Sequence, residues 1–131
     1  MRSRAYKRKR MATDIKFKLE ATIRTAVRHS LTEEPRYERK DRKTFAVLGF
    51  TVAELKAHLL KTIPSGYTWD DFLSGALHVD HKTPLAAFNF TSYEDHDFKR
   101  AWALSNLQLL PALENITKGA KLAVPFQPSL I

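Results

Sequence analysis

The sequence predicts an α+β protein in which helices come first and a strand, an excursion, a second strand and a helix follow. Apolar residues recur every four positions over residues 15–31, which is the spacing of one helix face. Short apolar runs at residues 76–81 and 104–110 have the length and composition of strands. A chain of 131 residues is most simply one domain.

The basic charge of the chain is concentrated at its N-terminus. Residues 1–30 contain ten Lys or Arg and two acidic side chains, whereas residues 31–131 contain twelve of each sign. The net charge of +8 therefore lies entirely in the first thirty residues. Such a block is typical of proteins that bind polyanions, most often nucleic acid. A solvated tail without a specific partner is the alternative interpretation.

The composition also excludes several classes of protein. No apolar run approaches the roughly 20 residues that span a bilayer, and no apolar segment follows the basic N-terminus. The chain has no cysteine, which excludes disulfides, thiolate zinc sites and cysteine nucleophiles. We therefore expect a cytoplasmic protein without a membrane partner.

The N-terminal part divides into an arm and two helices. Residues 1–12 are strongly basic and have little to bury, so we expect a disordered or loosely ordered arm. A helix then begins at a capping residue, either Thr13 or Asp14. Thr51 and Glu54 have the spacing of a capping box at the start of the next long helix.

Eight basic side chains of this part are candidates for contact with nucleic-acid phosphates. Two of them, Arg24 and Arg28, lie one turn apart beside the apolar stripe, where they either grip a phosphate or are simply solvated. The full set is Arg2, Arg4, Lys7, Arg8, Lys9, Arg10, Arg24 and Arg28.

In the C-terminal part, each element carries a polar residue that its local pattern does not require. These residues are Asp80 and His81 on the first strand, Asn106 on the second, and Asn115 with Lys118 on the final helix. The excursion contains a short helix that Ser92 is expected to start, and Pro111 is expected in the first position of the final helix. Strict alternation places Asp80 and His81 on opposite faces of a strand, so both serve one site only if the strand ends or distorts there.

These residue types match the requirements of phosphodiester hydrolysis. A base must take a proton from water near neutral pH, which suits His81, and activity is then expected to rise near its ordinary pKa of about 6.5. A hard cation that neutralises the leaving oxygen takes carboxylate and amide ligands, as Asp80 and Asn115 provide. A positive side chain such as Lys118 adds charge at the scissile phosphate.

Three segments together, HVDHKTPL, SNLQLL and ENITKGAKL, resemble the HNH endonuclease family of the ββα-metal superfamily. The spacing from Asn106 to Asn115, with a lysine three residues further on, is similar to the HNH nuclease domain of RNA-guided CRISPR effectors. Upstream, FAVLGFTVAELKAHLL and YTWDDF resemble the N-terminal part of small phage-type HNH proteins. The resemblance covers residues 15–122.

The resemblance implies a fold and a set of roles. The fold is α+β, with N-terminal helices followed by a ββα-metal (HNH) finger. Asp80 and Asn115 are the metal ligands, His81 is the general base, and Asn106 holds the loop between the strands and helps to orient the base. His78 is left open as a partner of a ligand, an extra ligand, a substrate contact or a packed strand residue.

The chain departs from many family members at two points. Asn115 stands where histidine is common, so the chain is an H-N-N variant, and an amide favours Mg²⁺, with Mn²⁺ as the alternative, over Zn²⁺. The two CxxC pairs that hold a structural zinc ion in many members are absent here. The finger is therefore expected to be held by packing alone.

These observations predict four segments within one compact domain. They are a basic arm over residues 1–12, a helical part over 13–67, the HNH nuclease module over 68–122 and a tail over 123–131.

The implied function is metal-dependent cleavage of double-stranded DNA, nicking one strand per site to leave a 5′-phosphate and a 3′-hydroxyl. A homodimer and a phage packaging partner are both compatible with it, in a bacterial host cell if the chain is phage-encoded. The alternatives are a non-catalytic basic nucleic-acid-binding module and a nuclease without preference between DNA and RNA.

Overall fold

The structure, a computed structural model, describes residues 3–31 and 44–123, with side chains described as far as residue 118. The α-helices are α1 (Arg4–Thr13), α2 (Ile15–Leu31), α3 (Thr44–Leu48), α4 (Val52–Leu60), α5 (Trp69–Ser74), α6 (His96–Ala101) and α7 (Ala112–Ala123). The strands β1 (Leu77–His81) and β2 (Leu107–Pro111) form one antiparallel sheet. The predicted α+β class is confirmed at this level. In the part of the chain that the structure describes, no helix combines the length and the apolar character that crossing a bilayer requires.

Helix α1 occupies the segment for which the charge pattern predicts a disordered arm, so that prediction is wrong from residue 4 onward. The hydroxyl of Ser3 caps α1 by accepting a hydrogen bond from the Tyr6 N–H at 3.0 Å. At the other end, the Arg10 guanidinium pairs with Asp14 and donates to the Tyr6 hydroxyl at 2.7 Å. These local bonds stabilise the two ends of α1. Arg2 lies outside the described residues, as do residues 32–43 and the predicted tail beyond residue 123.

Helices α2 and α4 begin at residues that the sequence offers as caps. Asp14 is the one used at α2, where its Oδ1 accepts from the Phe17 N–H at 3.1 Å. At α4 the capping box is complete. The Glu54 N–H donates to Thr51 Oγ1 at 3.1 Å, and the Glu54 carboxylate accepts from the Thr51 N–H at 2.8 Å. The predicted capping box is confirmed.

One cluster of buried side chains joins the N-terminal helices to the sheet. The apolar stripe of α2 supplies three of its members, Leu19, Ile23 and Val27. The others are Phe50, Leu55, Leu59, Phe72, Leu77, Phe98, Ala101, Trp102, Leu107 and Leu109. Helix α2 and the sheet therefore share one core.

The sheet fixes which residues of the C-terminal part face each other. Leu77 pairs with Pro111 and His81 with Leu107, and the segment between the strands contains α6. Pro111 is thus the last residue of β2, and the final helix starts one residue later than predicted. Helix α6 starts at His96 rather than at Ser92 because the Asp95 carboxylate accepts the Thr91 and Ser92 N–H groups in a turn.

The outer edge of β2 is closed by side chains from α4 and the turn after it. The carbonyl of Leu107 accepts from His58 Nε2 at 2.9 Å. The hydroxyl of Thr62 accepts from the Leu109 N–H at 2.9 Å and donates to the Leu59 carbonyl at 2.8 Å. Since a strand edge leaves backbone groups unpaired, these bonds satisfy β2 on the side away from β1.

We expect Thr62→Val to destabilise the protein by about 1–3 kcal/mol, because the isosteric valine leaves the Leu109 N–H without its acceptor. Urea unfolding measures the difference in the free energy of unfolding. The matched control is Thr25→Val on the exposed side of α2, which should change that free energy by no more than about 0.5 kcal/mol. Equal effects of the two substitutions would contradict this account of the β2 edge.

Candidate functional site

Asp80 and His81 point to opposite faces of β1, as strict alternation requires. The His81 ring lies on the core face, where it packs edge-on against Trp102 with 4.4 Å between the ring centroids. The Asp80 carboxylate lies on the other face and bonds to Lys118 on α7. The outer edge of β1 pairs with no further strand among the described residues, and β1 ends at His81. A site beside this edge therefore reaches both side chains.

A cavity of about 300 Å³ lies at this place. Four of its lining residues were selected from the sequence, namely Asp80, His81, Asn115 and Lys118. The sequence reasoning missed the other four, which are Ala26, Val79, Pro84 and Leu85. The missed residues are apolar, so the lining has a polar part and an apolar part.

The Asp80 carboxylate is almost fully buried, with 7% of its side chain exposed, and it has two partners. Its Oδ2 accepts from Lys118 Nζ at 2.8 Å and from Gln108 Nε2 at 2.8 Å. A buried carboxylate needs such donors because it has lost its hydration. Gln108 was missed in the sequence, although it is the polar residue of an otherwise apolar strand. It pairs with Asp80 across the sheet, which only the register reveals.

The His81 imidazole is neutral at neutral pH. Burial lowers the pKa of His81 from its ordinary 6.5 to about 4, the Asp80 carboxylate opposes this shift, and Lys118 adds to it. The expectation that activity rises near pH 6.5 is therefore corrected, since the imidazole already lacks its extra proton there. Among the described residues, none is a hydrogen-bond partner of His81 Nε2, although this nitrogen is buried. The ring thus keeps a nitrogen uncommitted.

Asn115 is oriented by the other histidine of β1. Its Nδ2 donates to His78 Nδ1 at 3.1 Å. No described residue donates to Asn115 Oδ1. His78 contacts Asn115 without lining the cavity, so it lies behind the candidate ligand.

Asn106 lies outside the cavity and binds backbone around it. Its Oδ1 accepts from the Thr83 N–H at 2.8 Å, and its Nδ2 donates to the carbonyls of Thr83 at 3.1 Å and Ala101 at 2.9 Å. These bonds join the loop after β1 to the end of α6. Ala101 precedes Trp102, on which the His81 ring packs, so Asn106 reaches His81 only through the backbone. The role of Asn106 in orienting His81 as a general base stays a prediction.

The donor atoms of the cavity fit a hard cation. Asp80 and Asn115 offer carboxylate and amide oxygens, which Mg²⁺ and Mn²⁺ accept together with water. Among the described residues, no group of three or more His, Cys, Asp and Glu side chains is placed to hold a metal ion. By donor type alone, a carboxylate and an amide oxygen suit Mg²⁺ better than Zn²⁺, whose structural sites use nitrogen and sulfur ligands.

The predicted phosphate-binding side chains fall into two groups, and none of those described lines the cavity. Arg4, Lys7, Arg8 and Lys9 are exposed on α1, whereas Arg10 is paired with Asp14. Arg24 and Arg28 are half-buried on α2. Arg24 lies about 160° around the helix from Ala26, the residue of α2 that lines the cavity.

A scan against protein-family models, a search of curated proteins and a search of solved structures found no match to this chain. The HNH resemblance drawn from the sequence motifs therefore stays a prediction. The geometry of the cavity carries the functional argument.

We expect His81→Phe to remove a pH dependence from the stability of the protein. The pKa of His81 is about 4 when folded and 6.5 in its ordinary state, so between these values only the unfolded chain takes up the proton. The free energy of unfolding therefore falls as the pH drops from about 6.5 to 4, by up to about 3 kcal/mol. Phenylalanine keeps the ring against Trp102 and does not titrate.

Urea unfolding at several pH values between 7 and 4 measures this difference between wild type and His81→Phe. The control is His96→Phe, which replaces an exposed histidine on α6. The difference between wild type and His81→Phe should change steadily over the window, while the control should follow wild type. Parallel curves for wild type and His81→Phe would show that His81 is not held neutral by burial.

Proposed function

We propose that this chain is a metal-dependent endonuclease of the HNH class, in which β1, β2 and α7 form the ββα-metal finger and DNA is the substrate. One observation carries the proposal: a single cavity gathers a buried carboxylate, a neutral imidazole, an amide and an ammonium group from β1 and α7. These are the groups that phosphodiester hydrolysis needs, and they come from two segments that are distant in the sequence, β1 and α7.

In this proposal His81 is the general base. Its low pKa keeps the imidazole in the neutral form that a general base requires, although it also makes the ring a weak base until a negative charge stabilises the imidazolium. The imidazole takes a proton from water, the water oxygen forms a bond to phosphorus, and the bond to the 3′-oxygen breaks. That oxygen takes up a proton, which leaves a 3′-hydroxyl and a 5′-phosphate. An anionic phosphate in the cavity favours the imidazolium, so substrate binding makes the proton transfer easier.

Asp80 and Asn115 would hold the divalent metal ion in this proposal, with Mg²⁺ preferred and Mn²⁺ accepted. When bound, the ion supplies positive charge for the leaving oxygen and the phosphate. His78 supports this arrangement by occupying the nitrogen of the Asn115 amide, which leaves the amide oxygen for the cation. Gln108 supports it by fixing one oxygen of Asp80 at 2.8 Å.

The exposed basic side chains of α1 provide the surface that attracts DNA in this proposal. Arg4, Lys7 and Arg8 fall within about 100° around the helix, so they present their charges in one direction. Cations that neutralise phosphates release counterions, which makes binding strongly dependent on salt. The same surface favours the second candidate function, a nucleic-acid-binding module that does not cleave.

We expect wild-type protein to nick supercoiled plasmid in Mg²⁺ or Mn²⁺, and His81→Ala to be at least about 100-fold slower, because it lacks the base. Gel electrophoresis measures nicking, and a binding assay on the same plasmid shows whether the variant still binds. The matched control is His96→Ala, an exposed histidine on α6 that should cleave like wild type. RNA of equal length, tested in parallel, addresses the alternative of a nuclease without DNA preference.

Equal cleavage by wild type and His81→Ala would refute the role of His81. DNA binding by both proteins without any metal-dependent cleavage would leave the binding module as the function.

We expect the double substitution Arg4→Gln with Arg8→Gln to weaken DNA binding and to lower the slope of log affinity against log salt by about 2, because each lost phosphate contact contributes about 0.9. Filter binding over a series of salt concentrations, with EDTA present, measures the slope. The control is Lys61→Gln with Lys99→Gln, which removes the same charge from exposed sites outside α1. An equal change of slope in both variants would mean that α1 is not the binding surface.

A further inference from the structure

The ammonium group of Lys118 lies where a cation on Asp80 would lie. Lys118 Nζ donates to Asp80 Oδ2 at 2.8 Å, to the His81 carbonyl at 2.7 Å and, more distantly, to the Lys82 carbonyl at 3.5 Å. All three acceptors are oxygens of β1 and the residue after it. Carboxylate and carbonyl oxygens are also the ligands that Mg²⁺ and Mn²⁺ prefer.

We propose that Lys118 occupies the cation site of the metal-free protein, and that a divalent cation binds at Asp80 only by displacing it. This inference rests on the proposed function, because that function makes Asp80 a metal ligand. Lys118 thereby has two roles in turn. In the metal-free protein it compensates the charge of the buried Asp80 carboxylate. Once a metal ion has displaced it from Asp80, it faces the substrate phosphate.

Charge repulsion makes the two cations exclude each other. The Lys118 side chain is in direct contact with a carboxylate that is only 7% exposed, so little water screens the charges there. Like charges a few ångströms apart in such surroundings repel strongly. A divalent ion and the ammonium group therefore compete for the same oxygen atoms, and Lys118 lowers the metal affinity of the site.

The released ammonium group has a place to go. Lys118 is 29% exposed and also lines the cavity of about 300 Å³ that His81 lines. Its four-carbon stem is flexible, so the charge can swing from Asp80 into the cavity while α7 stays in place. Gln108 continues to hold Asp80 Oδ2 at 2.8 Å, which keeps the carboxylate oriented during the exchange.

The first test measures Mn²⁺ binding to the full chain without DNA, by the electron paramagnetic resonance signal of free Mn²⁺. Lys118→Met keeps the length of the side chain and removes its charge, so Mn²⁺ should bind about tenfold more tightly or better than to wild type. Lys118→Arg keeps the charge and should not tighten binding. The charge-matched control is Lys82→Met, an exposed neighbour, which should change the affinity by less than about twofold. Comparison with Asp80→Asn shows how much of the Mn²⁺ binding depends on the Asp80 carboxylate.

The outcomes separate this inference from the proposed function. Asp80-dependent Mn²⁺ binding that Lys118→Met does not tighten would overturn the inference alone and leave the metal site in place. Absence of Asp80-dependent binding in wild type and in every variant would overturn both. Tightening in Lys118→Met alone among the lysine variants supports both.

A second test uses wild-type protein and does not depend on the folding of any variant. Reductive methylation followed by peptide mass spectrometry measures how fast each lysine amine reacts. Addition of Mg²⁺ should raise the rate of Lys118 relative to Lys82, because the amine leaves its three oxygen acceptors. An unchanged ratio at saturating Mg²⁺ would overturn the inference.

Discussion

The buried carboxylate of Asp80 is the constraint on which the candidate site depends. A carboxylate that is 7% exposed must be paired, and removing one partner of a buried ion pair costs about 3–5 kcal/mol. Its two partners come from different elements: Gln108 requires the observed register of β1 and β2, and Lys118 requires α7 to lie against β1. One polar group thus couples sheet pairing, helix docking and the chemistry of the cavity.

The small sheet gives the site its shape because its two outer edges have different neighbours. At the outer edge of β2, backbone groups bond to the side chains of His58 and Thr62, whereas the outer edge of β1 lies beside the cavity. Along an open edge, side chains from both faces of a strand reach the same space. Asp80 and His81 therefore line one cavity without any distortion of β1, and Ala26 of α2 lines the same cavity.

Local sequence patterns predicted most helices and strands. They could not predict side-chain partners that come from distant segments of the chain. The capping box at Thr51 is a local motif, so it was predictable. The helix over residues 4–13 was not predicted because its basic charge is more conspicuous than its local signals, namely the Ser3 cap and the pairing of Arg10 with Asp14 four residues further on. Asp80, His81, Asn115 and Lys118 were predicted as a group from their chemistry. Gln108 was not, because its importance comes from the strand register alone.

The pKa of His81 shows how the core and the chemistry constrain each other. Packing on Trp102 contributes the burial that lowers this pKa to about 4, so the imidazole is neutral but is a weak base. A weak base accepts a proton from water only when a negative charge nearby stabilises the imidazolium. The Lys118 ammonium opposes that stabilisation, whereas the substrate phosphate of the proposed nuclease provides it. In that proposal the imidazole is therefore a better base when substrate is bound than when the cavity is empty, and burial links its reactivity to substrate binding.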